Sequence, residues 1–589
     1  MELTNKNILI LAPHPDDELI SSFYIIENAK RLGSTIKVIF ITSGESNYLG
    51  NIRAYKSLKL NKKEYASIRE NEARLVMKEL GVNDFEFWRI PDLGISKYKQ
   101  KIYVKLIDTI KNFKTDILIS PSIFDCHKDH NNLAVIVSYL SDQLKHIKTY
   151  YYIIHHSNSL LDNIPFNIKF KLSGELKEKK KRLFNYYKSQ MLYNRDFFLA
   201  HLDKECFISH GNVPELSEIP LEIDFVGKDF LWIKVKYRGF FLNPLKLEIS
   251  TIIDSDIYDF NATIKWHKKA LPLYINRSQK LCSYIKIQRL LGENGGYLAI
   301  PISCFKGANR LFIKLSNINP VFDLTGYVNV KMMKHIHRNR SPKVCVVIPC
   351  FNIAELCSKT VNKTLEYVDD VVVVNDGSTD STKESLNNLA IQNDKLHTLH
   401  LHKNMGKGNA LIKGMLYAFQ NIDFDLLITM DGDMQHRPED IPLFKEAWQN
   451  GADMILGVRS WDNNVPLRSK IGNFFINKLC SFLLKSKITD SQTGFRGFSK
   501  PLLKKIIESD CIKAGRYETE LDIFLYSYLS GARVCEVNIP TIYIDGNASS
   551  HFNPILDSLR IIKEALAFYM RFYKAQRDGL ENKVIIDNS

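Results

Sequence analysis

The stretch "ILILAPHPDDELI" (Ile8–Ile20) decides the fold of the first domain. An apolar run breaks into His14, a proline and three consecutive acids, Asp16, Asp17 and Glu18. Open α/β sheets place their ligands at strand tips of this kind. Clustered acids cost stability unless a positive charge sits among them, so a metal is the first expectation.

Working outward, "IKVIFITSG" and "TDILIS" are further short apolar runs that end in small or polar residues. Between them, "RENEARLVMKELG" shows helical spacing and ends at Gly81, a stop signal. This alternation predicts a mostly parallel sheet with helices on both faces over residues 1–215. "SPSIFDCHKDHNN" then brings His127, Asp129 and His130 after another strand-like run. Strand tips of one parallel sheet share an edge, so the two clusters can converge. His14, Asp17 and His130 would form a His/Asp/His set suited to zinc or another divalent transition ion. Asp16 would stand beside the site as general base, and His127 would face a developing oxyanion with Asp129 orienting it. Taken alone, "HPDD" reads more readily as a helix N-cap than as a metal site. The second cluster, after a second strand, favours the metal.

These motifs resemble the LmbE-like (PIG-L) N-acetylglucosamine deacetylase family over roughly the first 210 residues. "PHPDDE" and "HKDH" carry the resemblance, and "TSGE" (Thr42–Glu45) and "RENEA" (Arg69–Ala73) match weaker motifs. "YKSQ" (Tyr187–Gln190) places Tyr where the family often has His. The resemblance implies a Rossmann-like fold and zinc-dependent removal of an N-acyl group from an amino sugar. It implies His14, Asp17 and His130 as Zn2+ ligands and Asp16 as the base.

From 216 to 335 the texture changes. "DFLWIKVKYRG", "YLAIPIS" and "RLFIKLS" alternate with period two between turn-like stretches, which predicts an antiparallel β-sandwich. It carries no chemical constellation. A structural spacer is the simpler reading and a carbohydrate-binding accessory the other. "KHIHRNRSPK" (Lys334–Lys343) is a basic linker.

Residues 342–575 read as a second α/β domain. "TMDGDMQHRPED" puts Asp431 and Asp433 on the same side of a strand end, where two carboxylates suit a hard cation and its phosphate oxygens. "VVNDGSTDST" is a strand followed by an Asp-Gly turn, and "NMGKGNALIKGM" sets Lys407 ahead of a helix in a phosphate-facing loop. In family order, "VVIPCFN", "NDGSTDST", "MGKGNAL", "MDGDMQHRPED", "GVRS", "SQTGFRGF" and "YETEL" resemble family 2 glycosyltransferases of the GT-A fold, in their dolichol-phosphate mannose synthase branch. The resemblance implies a sugar nucleotide held through Mg2+ or Mn2+ at Asp431, Asp433 and Gln435, with nucleotide contacts from Pro349, Asn352 and Asp376. Ile353 and Asn375 depart from acids the family often has. A polyprenyl phosphate acceptor is already an anionic nucleophile and needs cations rather than a base. Arg459 and Arg468 are placed to supply them, although either alone also reads as a surface charge. Glu518 and Glu520 are the reserve if the acceptor is a soluble or glycan hydroxyl.

The chain has 589 residues and a net charge of +15, which calls for several domains and an anionic partner. No nucleic-acid module is legible, so an anionic membrane surface and phosphate-bearing substrates are the expected partners. Ten scattered cysteines point to free thiols, and "MELTNKNILILAPHP" has no signal-peptide pattern. A cytoplasmic location is expected, with peripheral contact at the inner face of the cell membrane. "GNFFINKLCSFLLKSK" and "ILDSLRIIKEALAFYMRFYK" mix apolar and basic residues. The latter sets Leu559, Ile562, Leu566, Tyr569 and Tyr573 on one stripe that fits either core packing or an interfacial helix. A bifunctional deacetylase and transferase is the reading that joins the parts. The alternative class is a binding or scaffold protein with one inactive domain.

Overall fold

The computed structural model describes residues 1–46, 60–155, 166–212, 221–227, 229–236, 245–265, 268, 270–275, 280–290, 295–316, 321–323, 326–331, 338, 340–459, 467–484, 488–513, 515, 518–540 and 562–574. Three sheets organise it, two in α/β surroundings and one antiparallel between them.

The first sheet contains β1 (Asn7–Ala12), β2 (Thr35–Thr42), β3 (Asp84–Ile90), β4 (Ile117–Pro121), β5 (Lys148–Tyr152), β6 (Ile168–Lys171) and β7 (Lys204–Ser209), in the order β3-β2-β1-β4-β5-β7-β6. Ile8, Ile10 and Ala12 enter one apolar cluster and Leu9 and Leu11 another, because alternate side chains of β1 face opposite helical layers. β1 pairs in parallel with both β2 and β4, so the strand order reverses at the β1/β4 crevice. A ligand site is expected at such a reversal, beyond the carboxyl ends of the strands. Four helices border it: α1 (Asp17–Arg31), α2 (Lys62–Leu80), α3 (Ile95–Phe113) and α4 (Lys128–Gln143). Asp16 occupies the N-cap position of α1 but makes no capping bond with its side chain. Its φ of 122° is a strained conformation for a residue with a Cβ, and strain of this kind gathers at functional sites.

The middle sheet runs from β8 (Leu221–Val226) and β9 (Phe230–Lys236) through β10 (Lys246–Ile253), β11 (Asp256–Thr263), β12 (Ala270–Ile275), β13 (Lys280–Leu290), β14 (Gly295–Pro301) and β15 (Arg310–Ser316) to β16 (Val328–Lys331). Its nine strands form one continuous hydrogen-bonded order, β16-β15-β10-β11-β12-β13-β14-β9-β8. One apolar core draws on all of them, from Leu221 on β8 to Val330 on β16. This domain packs on the first through Lys99 of α3, whose buried ammonium donates to Asp259 at 2.6 Å and Ser250 at 3.1 Å.

The third sheet holds β17 (Val344–Cys350), β18 (Asp370–Asn375), β19 (Leu396–His400), β20 (Leu426–Thr429), β21 (Met454–Arg459), β22 (Arg496–Ser499) and β23 (Val534–Ile539), in the order β19-β18-β17-β20-β22-β21-β23. β17 pairs in parallel with β18 and β20, which makes a second reversal point, and β22 runs antiparallel to β20 and β21. Leu559 lies outside the described residues. Over 562–574 the helix buries Ala565, Phe568 and Phe572 in the core of this domain, while Leu566 and Met570 are exposed. Among the described residues, no helix is long and apolar enough to cross a membrane.

Candidate active sites

The first site sits at the β1/β4 crevice. Its floor is a triangle of donor atoms. Asp17 Oδ2 lies 3.2 Å from His14 Nδ1 and 3.1 Å from His130 Nε2, and the two ring nitrogens are 3.3 Å apart. Tetrahedral ligands at zinc-like bond lengths are separated by about 3.4 Å, so this donor set fits such an ion in both chemistry and spacing. All three residues are buried. Helix α1 presents Asp17 and α4 presents His130, because both helices start directly after the paired strands.

A second layer of carboxylates aims the rings. Asp125 Oδ2 faces His130 Nδ1 at 3.1 Å, which leaves Nε2 pointing into the triangle. His14 Nε2 faces Asp92 at 3.2 Å and Asp129 at 3.5 Å. Asp129 therefore does not orient His127 with its carboxylate, as the sequence suggests. That group accepts from the backbone N–H of Leu93 (2.8 Å) and Ile95 (3.2 Å), ahead of α3. The N–H of Asp129 instead donates to His127 Nδ1 at 3.2 Å. An accepting Nδ1 leaves the ring proton of neutral His127 on Nε2. His155 completes the wall, with its ring 5.2 Å from His127 and 5.0 Å from His130.

Asp16 meets Arg69 of α2 at 3.0 Å. Burial pushes the Asp16 carboxyl up, against the opposing pull of Arg69, to about 7. Burial also works against a charged His14, but Asp129, Asp17 and Asp92 outweigh it and hold its pKa above the usual value. For Asp17, His130 and His14 overcome burial and keep the carboxylate ionised. Glu18 is buried and bonded to the Tyr187 hydroxyl and the Asp16 N–H, so "YKSQ" buttresses the site from behind. Asp92, Asp125, His155 and Arg69 were given no role by sequence reasoning. Asp92 and His155 lie on separate loops with no spacing signal, whereas Asp125 and Arg69 fall inside quoted motifs.

The second site lies beyond β17, β18 and β20. Asp376 accepts from the N–H groups of Met405 and Gly406, each at 2.8 Å, and so ties the Asp-Gly turn to the start of the helix Lys407–Asn421. Asn352, at φ 54°, accepts from Thr379 N–H at 2.8 Å and donates its own N–H to Ser378 at 2.9 Å. Pro349 lies buried within β17, just before this turn. Lys407 reaches Asp431 at 2.7 Å and Glu520 at 3.3 Å, so an ammonium occupies the flank of Asp431. Burial would raise the Asp431 carboxyl, but Lys407 outweighs it and lowers the value to about 2. Burial and Asp431 push Asp433 up, as two neighbouring carboxylates should. Asp433 accepts from Gln435 N–H at 3.1 Å. His436, also missed, is buried and accepts the Asp431 N–H at 3.0 Å, pinning this loop.

The acidic pair suits a hard cation chemically. Among the described residues, though, clusters of three His, Cys, Asp or Glu groups close enough to share an ion occur only around His14 and His130. Arg459 is held by buried Asp490 in a two-pronged pair at 2.7 and 2.9 Å. Arg468 falls in the first turn of the helix Leu467–Leu483, and its side chain lies outside the described residues.

Comparison with known proteins gives two family matches. Residues 9–140 match GlcNAc-PI de-N-acetylase, and residues 345–507 match glycosyl transferase family 2. A protein of Methanocaldococcus jannaschii described as uncharacterized is 33% identical over 231 residues, covering 38% of this chain and 92% of that protein. A UDP-N-acetylglucosamine–dolichyl-phosphate N-acetylglucosaminyltransferase of Methanococcus voltae is 29% identical over 220 residues, covering 34% of this chain and 86% of that enzyme. The solved N,N'-diacetylchitobiose deacetylase of Pyrococcus horikoshii aligns with 34% of this chain and 82% of its own, at 17% identity and a TM-score of 0.29.

Proposed function

We propose a bifunctional amino-sugar enzyme, from the premise that the chain belongs to two families: its C-terminal domain to glycosyl transferase family 2 and its N-terminal domain to the GlcNAc-PI de-N-acetylases. The first domain removes the acetyl group of an N-acetylated sugar. The second transfers a sugar from a nucleotide donor to polyprenyl phosphate.

The donor triangle of His14, Asp17 and His130 carries the deacetylase reading. A zinc ion held there would lower the pKa of water and polarise the amide carbonyl. Asp16 accepts the proton of the attacking water and passes it to the leaving amine. Burial raises its pKa from the usual carboxylate range, the direction a base working near neutral pH needs. Neutral His127 offers Nε2–H to the developing oxyanion. The amide C–N bond breaks, leaving acetate and a free amine.

In the second domain Asp431, Asp433 and Gln435 would share Mg2+ or Mn2+ with the donor diphosphate. Pro349, Asn352 and Asp376 would shape the nucleotide pocket, and Lys407, 2.7 Å from Asp431, would supply positive charge for the donor phosphates. Arg459 and Arg468 would supply the positive charge for the acceptor phosphate. The dolichyl-phosphate acceptor in the name of the Methanococcus voltae relative supports a lipid phosphate here. A hydroxyl acceptor is the second reading, favoured by Glu520 lying 3.3 Å from Lys407, where a base could act.

The two domains are proposed to act in series. A lipid-linked product stays near the chain, and tethering raises its effective concentration at the second site. The test supplies full-length protein with a labelled N-acetylated sugar nucleotide and polyprenyl phosphate. Asp433→Ala should abolish lipid labelling, while Asp17→Ala should accumulate the N-acetylated lipid. Identical lipid products from Asp17→Ala and wild type would refute action in series.

A further inference from the structure

The middle domain holds the loop that carries Asp125 and His127. Lys128 N–H donates to the Val321 carbonyl at 3.0 Å, Asp323 N–H to Cys126 at 2.9 Å and Tyr327 N–H to Ile123 at 2.7 Å. It holds the first turn of α4 as well. Asn131 directly follows the ligand candidate His130 and is fully buried. Its amide makes four bonds. The NH2 group donates to the Asp125 carbonyl at 3.1 Å and to Asp323 Oδ2 at 3.0 Å. The oxygen accepts from Lys314 Nζ at 3.1 Å and from the Asn132 amide at 3.3 Å. Lys314 and Asp323 also pair with each other at 2.7 Å, and both are buried. Tyr327 donates its hydroxyl to the Asn132 oxygen at 3.1 Å.

A carboxylate only accepts and an ammonium only donates, so the two together dictate which way the Asn131 amide points. Asn131 in turn holds the carbonyl of Asp125, the residue whose carboxylate orients His130. A plain spacer gains nothing from this arrangement. Desolvating both charges can cost more than their attraction returns, and apolar residues of similar size would join two domains as firmly. What the charges add is direction, and they add it at the residue next to a metal-ligand candidate.

We propose that the middle domain is a working part of the deacetylase site: its Lys314–Asp323 pair positions Asn131, and through Asn131 the Asp125 and His130 of the metal centre. This rests on the reading of the donor triangle as a zinc site. The test uses the full-length protein. It measures zinc affinity by competition against a chelator, and ligand geometry by the visible spectrum of the cobalt(II)-loaded form. The double variant Lys314→Met, Asp323→Leu strands no charge, so its melting temperature should stay near that of wild type. Its zinc affinity should fall about tenfold and its cobalt spectrum should change. Asn131→Ala leaves the ion pair intact and should give the same loss. Adding it to the double variant should cost nothing more, because both act through one contact. Arg310→Met is the control. It breaks another ion pair between the same domains, to Asp142 at 2.8 Å, about three turns along α4 from His130. It should leave zinc affinity and spectrum as in wild type. Unchanged affinity and spectrum in the double variant overturn the proposal, as they do in Asn131→Ala, which alone decides it where the double variant does not fold. Additive losses, or an equal loss in Arg310→Met, overturn it too. A wild-type protein that binds no divalent ion removes the zinc-site reading itself, and the positioning role falls with it.

Discussion

Asp125 shows how much of the first site is done by a residue that ligates nothing. It is fully buried, and its carboxylate takes His130 Nδ1 at 3.1 Å and the N–H groups of His127 (2.9 Å), Ile154 (2.9 Å) and His155 (3.2 Å). It thus fixes which nitrogen of His130 faces the triangle and holds three wall residues by their backbone. Burial would raise its pKa, but His130 outweighs burial and keeps it charged. Asp125→Asn keeps the shape and removes the charge, so zinc affinity should fall about 10- to 100-fold. Competition against a chelator measures this, and unchanged affinity would count against the orienting role. His14, Asp17 and His130 are legible in the sequence because each follows an apolar run at a sheet's crossover edge. Asp92 is not, because it arrives from the loop after β3 with no motif around it. His155 is equally silent, in a run of tyrosines and isoleucines that reads only as strand end.

At the scale of elements, strand alternation is legible because each face of a sheet meets a different core. The single continuous order of the middle sheet is not, since alternation records which side is buried and not which strands are neighbours. Residues 321–323 and 326–327 hide their pairing for the same reason. Nothing in "VFD" (321–323) or "GY" (326–327) announces that they will pair with the segment before α4. The helix Leu467–Leu483 makes a different point. Phe474 and Phe482 are 57% and 80% exposed, with Lys478 midway and its ammonium 5.2 Å from the Phe474 ring. Spacing of four residues sets all three on one helical face. Exposed aromatics interleaved with a cation suit the headgroup region of an anionic leaflet better than water. Under the proposed lipid-phosphate chemistry, the protein should sediment with anionic vesicles at low salt and release as salt screens the attraction. The double variant Phe474→Ser, Phe482→Ser should sediment less. Equal sedimentation with neutral and anionic vesicles would refute the electrostatic part.

At the scale of the whole molecule, the middle domain is clamped to the glycosyltransferase domain by Arg533. Its guanidinium donates to Asp453 at 2.8 and 2.9 Å and to Asp224 of the middle domain at 2.9 Å. Phe225 meets two guanidinium groups, with Arg533 4.6 Å and Arg338 5.1 Å from its ring. Trp232 and Gln288 add bonds to the carbonyls of Asn450 and Ala532. Removing one partner of a largely buried pair leaves the other charge stranded, so Arg533→Ala should cost about 3 kcal/mol. Scanning calorimetry would read it as a lower temperature for the transition that involves these two domains. The pH dependence follows from Asp453. Burial would raise its carboxyl, but Arg533 and Arg338 outweigh burial and hold it below the usual 3.8. A carboxylate depressed in the folded state contributes its full stability above its unfolded pKa and loses it as pH falls through the lower folded value. In Arg533→Ala burial is opposed by Arg338 alone, so the folded pKa of Asp453 rises and protonation relieves the stranded charge. The gap between wild type and variant should therefore be widest near neutral pH and shrink from about pH 4 downward. A gap that stays constant between about pH 7 and about pH 3 would mean that Arg533 acts through its packing on Phe225 and not through Asp453.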